Sequence, residues 1–132
     1  MTPFKLEIIT PDKVFFSGEV ENVIVRTTVG DKGILARHEP YVAALPIGKL
    51  KVKIDGQFRI AAVSEGVIKV SSDKTVILAQ SCEWGDEIDL ARAEAAKRKA
   101  EERMEKSDER GYLIAEYKLK RAINRIETYN MK

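Results

Sequence analysis

The chain has 132 residues, enough for one ordinary domain or a small domain with an appendage, and too few for most multidomain enzymes. Its 23 Lys and Arg against 21 Asp and Glu leave a formal net charge of +2, which excludes a phosphate-coating nucleic-acid binder and an acidic disordered tail. With one cysteine, Cys82, and one histidine, His38, the chain can build no internal disulfide, no CxxC redox pair and no structural zinc site. The first residues lack the apolar core of a signal peptide, and the longest apolar run, residues 42–47, contains Pro46 and is far short of a membrane span. A soluble chain that is not secreted is expected.

Composition divides the chain at Gly85. Seven of the eight glycines and all four prolines lie at or before that point, and charge density roughly doubles beyond it. In the first part, β-branched residues alternate with polar ones over residues 5–8, 21–26, 49–54 and 74–78, which predicts strands with one buried face each. Turn chemistry falls at Thr10-Pro11-Asp12-Lys13, at Val29-Gly30-Asp31-Lys32-Gly33, at Asp55-Gly56 and at Ser71-Ser72-Asp73-Lys74. Turns at this spacing predict a sandwich or flattened barrel, and Asp55-Gly56 is the clearest hairpin signal.

Beyond the division, Asp86, Glu87 and Asp89 supply carboxylates for the positive end of a helix dipole, and Ala91, Ala93, Ala95, Ala96 and Ala100 continue a helix to about Glu105. Ser107-Asp108-Glu109-Arg110-Gly111 breaks the pattern, and Tyr112, Leu113, Leu119, Ala122, Ile123 and Ile126 resume an apolar stripe at helical spacing. The expected fold class is α+β: an all-β sandwich or flattened barrel over residues 1–85, then an antiparallel two-helix hairpin over 86–132. Because the first helix offers mostly alanine methyls, little area is buried per turn and the hairpin should close weakly.

Antiparallel helices pivoting near Ser107 bring Asp89 level with Arg125, and Arg92 level with Ala122 beside Arg121. Asp89 and Arg92 share a face, as do Arg121 and Arg125. Three guanidiniums thereby converge near the small apolar Ile88 and Ala93, a combination that suits phosphates and a base, although solvated helix charges would read the same way. The chain has no GxxxxGK[ST] loop and no GxGxxG, so binding without phosphoryl transfer is expected. Glu94, Glu101, Glu102, Glu105 and Glu116, interleaved among the basic residues, would repel a nucleic-acid backbone. No metal ligand set and no catalytic residue is assigned, and neither His38 nor Cys82 is given any chemistry of its own.

Several ordered segments carry a family resemblance: Thr10-Pro11-Asp12; Gly30-Asp31-Lys32-Gly33-Ile34-Leu35 leading to His38 and Pro40; Ala62-Val63-Ser64-Glu65-Gly66; and Asp73-Lys74 before Val76-Ile77-Leu78-Ala79-Gln80. In the second part, Ile88-Asp89-Leu90-Ala91-Arg92-Ala93 matches an I/L-D-x-x-R-A motif, and Arg121-Ala122-Ile123-Asn124-Arg125 matches R-A-x-N-R. Over its whole length the chain resembles the epsilon subunits of bacterial F-type ATP synthase, in the Bacillus-like branch whose helical hairpin binds ATP.

That resemblance implies a non-catalytic subunit with a ten-stranded sandwich on the central stalk. The sandwich would touch the gamma subunit and the membrane rotor ring of c subunits, and Asp31 and His38 are the implied rotor and stalk contacts. Asp31 stands where a glutamate is more usual. Glu83, Ile88, Asp89 and Ala93 would surround the adenosine of a regulatory ATP, while Arg92, Arg121 and Arg125 would meet its phosphates. Lys99, with Arg98 beside it, stands where some relatives carry arginine, and lysine cannot reproduce a forked donor. The implied hairpin is mobile and inhibits ATP hydrolysis. Extended, it would present Arg98, Lys99, Arg103, Lys106, Arg110, Lys118 and Lys120 to acidic parts of the alpha and beta catalytic subunits. The implied location is peripheral, on the cytoplasmic face of a bacterial cell membrane, in a complex that translocates protons or sodium. A free-standing nucleotide-binding sensor with a sandwich platform is the alternative.

Overall fold

A computed structural model describes residues 2–132. Ten strands come first: β1 (Phe4–Thr10), β2 (Lys13–Val20), β3 (Asn22–Thr27), β4 (Gly30–Ile34), β5 (Tyr41–Leu45), β6 (Gly48–Ile54), β7 (Gln57–Val63), β8 (Gly66–Val70), β9 (Thr75–Ala79) and β10 (Cys82–Trp84). A 3-10 turn over Gly85–Glu87 leads to α1 (Leu90–Lys106) and α2 (Glu109–Met131). The α+β class and its order, sandwich first and hairpin second, match the expectation.

The strands form two five-stranded sheets, ordered β2-β1-β9-β8-β5 and β10-β7-β6-β3-β4. Strands β1 and β9 run parallel while the other described pairings are antiparallel, so the first sheet is closed by a contact far apart in sequence. Period-two alternation turns Leu6 and Ile8 of β1, Val23 and Val25 of β3, Leu50 and Val52 of β6, Ile68 of β8 and Ile77 of β9 inward, and all are essentially without solvent contact. Trp84 belongs to this core, with the Phe15 ring tilted against it at 5.0 Å and Phe16 edge-on at 6.0 Å. Asp55 (φ 49°) and Gly56 (φ 81°) both occupy the left-handed region, as the two-residue turn joining β6 to β7 requires.

Three local expectations are corrected. The stretch Gly30 to Gly33 is not a turn but most of edge strand β4, paired with β3 in the register Arg26↔Asp31. The turn sits earlier, where the Thr27 hydroxyl donates to the Gly30 carbonyl (2.7 Å) and accepts from the Val29 amide (3.2 Å). Asp86 and Glu87 do not open the first helix. They form the 3-10 turn, with Arg59 of β7 pairing with both, and Asp89 is the residue that caps α1, accepting from the Arg92 amide at 3.1 Å. Gly111 lies inside α2, because Asp108 caps that helix by accepting from the Gly111 amide at 2.8 Å.

Ala93 and Ala100 of α1 and Ala115 and Ala122 of α2 are the buried apolar side chains of the two helices. A buried methyl contributes about 0.8 kcal/mol, against about 1.5–3 for a Val or Leu side chain, so this seam holds the helices weakly. Docking of α2 on the sandwich is polar. Asn124 is buried and donates to the Gly48 (2.9 Å) and Val63 (3.5 Å) carbonyls, while Lys49 Nζ donates to Asn124 Oδ1 (3.4 Å) and Glu127 (2.9 Å). Gly85 leaves the room this needs: a Cβ there would lie 3.0 Å from the Thr128 carbonyl oxygen.

Candidate functional site: a cationic groove between the helices

A groove of about 300 Å³ opens between α1 and α2, lined by Ala96, Lys99, Ala100 and Arg103 from the first helix and Lys118, Arg121, Ala122 and Arg125 from the second. The reason is periodicity. Lys99 and Arg103 are spaced i, i+4, and Lys118, Arg121 and Arg125 are spaced i, i+3, i+7, so each helix turns one basic stripe toward the same opening. The intervening alanines are too short to fill the space between the stripes. No carboxylate is among the lining residues.

Two of the five cations are tied to the sandwich. Arg125 Nε and Nη2 donate to the two carboxylate oxygens of Glu83 in β10, the second at 3.3 Å. Arg121 Nη2 donates to Ser81 Oγ at 3.5 Å and lies 5.8 Å from the Tyr117 ring. Burial, aided by the Glu65 carboxylate that accepts from its hydroxyl, raises the Tyr117 phenol above its ordinary value. Among the described residues, Lys99, Arg103, Lys118 and Arg121 form no ion pair. Four positive charges line one opening without an ion-pair partner, a surface that attracts anions.

The residues singled out in the sequence separate into those that line this groove and those that do not. Arg121, Arg125 and Lys99 line it; Glu83 borders it through Arg125. Arg92 and Arg98 are exposed and are not among the residues that line it. Asp89 spends its carboxylate on capping α1. Ile88 and Ala93 are buried, at 5% and 0% exposure, and offer no open surface in this conformation. Arg103 and Lys118, which lie outside both sequence motifs, also line the groove; the signal for them in the sequence is their helical spacing from Lys99 and from Arg121.

At the other end of the molecule, Asp31 is an exposed cross-strand partner of Arg26, 2.9 Å from it, in edge strand β4. His38 follows that strand, its Nδ1 2.7 Å from the Glu39 carbonyl and its ring edge-on to Tyr41 at 5.9 Å. An apolar row crosses the outer face of the first sheet. Val14, Ile9, Leu78, Val67 and Ala44 stand in register on all five strands, with Val14, Leu78 and Val67 exposed. No cluster of three or more His, Cys, Asp or Glu suited to a metal occurs among the described residues, and no described helix is long and apolar enough to cross a membrane.

A ten-stranded sandwich carrying a two-helix hairpin with a basic groove defines a narrow class of protein, and comparison with known chains names it. A family profile described as ATP synthase, Delta/Epsilon chain, beta-sandwich domain matches residues 3–85, and one described as ATP synthase, Delta/Epsilon chain, long alpha-helix domain matches residues 86–130. The ATP synthase epsilon chain of Ruminococcus albus is 47% identical and aligns over 100% of both chains, and that of Alkaliphilus oremlandii is 51% identical over 79% of this chain and 78% of its own. In fold, the chain is similar to one in the Euglena gracilis mitochondrial ATP synthase, OSCP/F1/c-ring (TM-score 0.79, 24% identity, 91% of this chain and 77% of that one). It is also similar to one in the central stalk/c-ring structure of the Tetrahymena thermophila mitochondrial ATP synthase (TM-score 0.57, 14% identity, 98% and 96%). The chain belongs to the ATP synthase delta/epsilon family, among the bacterial epsilon chains, a non-catalytic subunit of that complex.

Proposed function

We propose that this chain is the regulatory epsilon subunit of a bacterial central stalk, whose hairpin inhibits ATP hydrolysis when extended and is held closed by ATP. The observation that carries this reading is the groove itself: five cations and no carboxylate, drawn from both helices, so the site is complete only while the hairpin is closed. A ligand that binds only the closed form stabilises it by RT ln(1 + [L]/Kd), about 2.7 kcal/mol at a hundredfold excess over Kd. An alanine seam is weak enough for a term of that size to decide between closed and open.

The sequence offers no phosphate loop to position a transferable phosphoryl group, which supports binding without turnover. Arg121 and Arg125 would meet phosphates, Lys99 would add a point charge rather than a fork, and Glu83 would orient Arg125 from the sandwich side. Arg92, Asp89, Ile88 and Ala93 would reach the nucleotide only from the rim of the groove. When ATP is scarce, the separated helices would present Arg98, Lys99, Arg103, Lys106, Arg110, Lys118 and Lys120 to acidic segments of the alpha and beta subunits, with attraction screened by salt.

The sandwich would serve as the stalk and rotor platform. The five-strand apolar row from Val14 to Ala44 suits a standing contact with the gamma subunit, and Asp31 and His38 suit contact with polar loops of the c ring. Such a subunit would be peripheral, at the cytoplasmic face of the membrane. The test is distance labelling at Arg98 and Asn130, one exposed site on each helix outside the groove, with and without saturating ATP. ATP should collect the labels into one short-distance population; identical distributions with and without ATP would overturn the switch. Deleting residues 86–132 should leave the assembled complex coupled yet raise its ATP hydrolysis, and an unchanged rate would remove the hairpin as the brake.

A further inference from the structure

We propose that a second cleft, between the outer face of the second sheet and the C-terminal half of α2, binds a free amphiphilic monocarboxylate of the medium-chain fatty-acid class, with Lys51 holding its headgroup. The cleft has a volume of about 510 Å³, inside the roughly 300–1,000 Å³ usual for small-molecule pockets, and shares no lining residue with the groove between the helices. The proposal does not depend on what that groove binds. Its geometry follows from the way α2 is held: Asn124 donates to the Gly48 carbonyl at 2.9 Å and Lys49 reaches Glu127 at 2.9 Å, which pins the helix along β6. Strand β3 lies on the far side of β6 from β7, so a gap remains between Ile24 of β3 and the helix. Gly48 has no side chain to fill it, and a Cβ there would lie 2.9 Å from the Arg26 Cβ, so the Arg26 stem forms the adjoining wall.

Ile24, Pro46, Ile47, Ile123 and Met131 line the cleft from three segments of the chain, and none is fully buried; Ile123 and Met131 are 36% and 46% exposed. One acyl chain laid among them would remove water from all five, which is the driving force for binding. Charge decides the other end of the ligand. Arg26 pairs with Asp31 and Lys49 with Glu127, both at 2.9 Å, and Lys120 has a 3.8 Å contact with Glu116. Lys51 is the lining cation that forms no ion pair among the described residues. It stands opposite Ile24 in the β3–β6 register, so a carboxylate on a tail lying over Ile24 would be within its reach. One unpaired cation matches one negative charge, and the Asp31 and Glu127 carboxylates would repel a more highly charged ligand. Such a ligand touches the sheet and α2 at once, so it binds only while α2 is docked.

Titration of the full chain with decanoate below its micelle-forming concentration, at constant ionic strength, tests the site by calorimetry and methyl NMR. Decanoate should saturate one site per chain, about tenfold or more tightly than acetate, which lacks the tail, and than decanol, which lacks the charge. It should shift the methyl signals of Ile24, Ile47, Ile123 and Met131. Lys51→Gln should weaken decanoate about five- to tenfold and Lys51→Arg should keep most of the affinity. Ile123→Asp, at an exposed position, should weaken it about tenfold or more, whereas Lys53→Gln, on the same strand as Lys51 but outside the cleft, should change little. Decanoate at about tenfold excess over Kd should slow amide exchange over residues 120–131 about tenfold. Circular dichroism checks that each variant is folded, and the comparison of decanoate with decanol on the unaltered chain tests the charge without any variant. No saturable decanoate binding, affinity untouched by both Lys51→Gln and Ile123→Asp, equal affinity for decanol, or shifts confined to the apolar row of the first sheet overturns the proposal. Binding that leaves exchange in α2 unchanged overturns the bridging of sheet and helix. Attachment to phosphatidylglycerol vesicles with free decanoate silent also overturns the proposal, in favour of a membrane contact.

Discussion

Arg125 of α2 grips Glu83 of β10 with two of its nitrogens while the same guanidinium lines the groove between the helices. One side chain thus joins three bodies: it docks the hairpin on the sandwich and faces the opening where an anion would sit. Whatever changes Glu83 is felt at the groove without any direct contact there.

Glu83→Gln should therefore loosen the docking of α2. A partly buried, two-point charge-assisted pair contributes about 1 kcal/mol. Amide exchange over residues 121–128 should accelerate about fivefold in the variant while the strands of the sandwich exchange as before. Unchanged exchange in α2 would show that the pair adds nothing to docking.

Asn124 is the polar centre of the same interface, and Asn124→Leu would leave the Gly48 carbonyl without its donor inside the contact. An unsatisfied buried carbonyl costs about 1–3 kcal/mol. Limited proteolysis should cut the hairpin of this variant several times faster than that of the parent chain, with fragments ending beyond residue 85. Equal rates of cleavage would refute an anchoring role.

Gly66 opens β8 directly against β9, where an added Cβ would come within 2.2 Å of the Leu78 carbonyl oxygen and 3.0 Å of the Ala79 Cα. Both neighbours are backbone and cannot step aside without breaking the ladder. Gly66→Ala should lower the melting temperature of the sandwich by a loss of about 1–3 kcal/mol. Gly56→Ala, at the open Asp55-Gly56 turn, provides a contrast: nothing stands within 4 Å, so any loss there comes from its positive φ alone. A Gly66→Ala chain as stable as the parent would contradict the close approach of β8 and β9.

Burial first, and the neighbouring Glu83 charge second, push the Cys82 thiol from its ordinary 9.0 up to about 12. The folded chain holds this proton more tightly than the unfolded one, so the stabilising contribution is whole below about pH 9 and is lost as pH rises toward about 12. Alkylation of Cys82 at pH 8 should be slow in the folded protein and rapid in denaturant. Cys82→Ser should flatten the fall of stability between pH 9 and 11; an equally steep fall would place the titrating group elsewhere.

Much of this protein is written locally in its sequence. The alternation in residues 21–26 and 49–54 decides which faces of β3 and β6 are buried, because side chains on a strand point to opposite sides at every step. The Asp55-Gly56 turn follows from two residues that accept positive φ, and the division near Gly85 follows from a change in composition that alters helix and turn preferences at once. These features need no distant partner.

What tertiary structure alone decided has distant partners in every case. The glycine-rich run from Gly30 reads as a turn by itself and becomes a strand because β3 offers it a hydrogen-bonded edge. Asp86 and Glu87 read as a helix start, yet Arg59, almost thirty residues earlier, draws them into a separate turn and leaves the cap to Asp89. The parallel pairing of β1 with β9 has no local signature at all. The groove depends on how two helices slide against each other, which an alanine seam specifies only through its small steps. Helical spacing could therefore predict that basic stripes exist, whereas the packing of the hairpin decides that Lys99 and Arg103 share one opening with Lys118, Arg121 and Arg125.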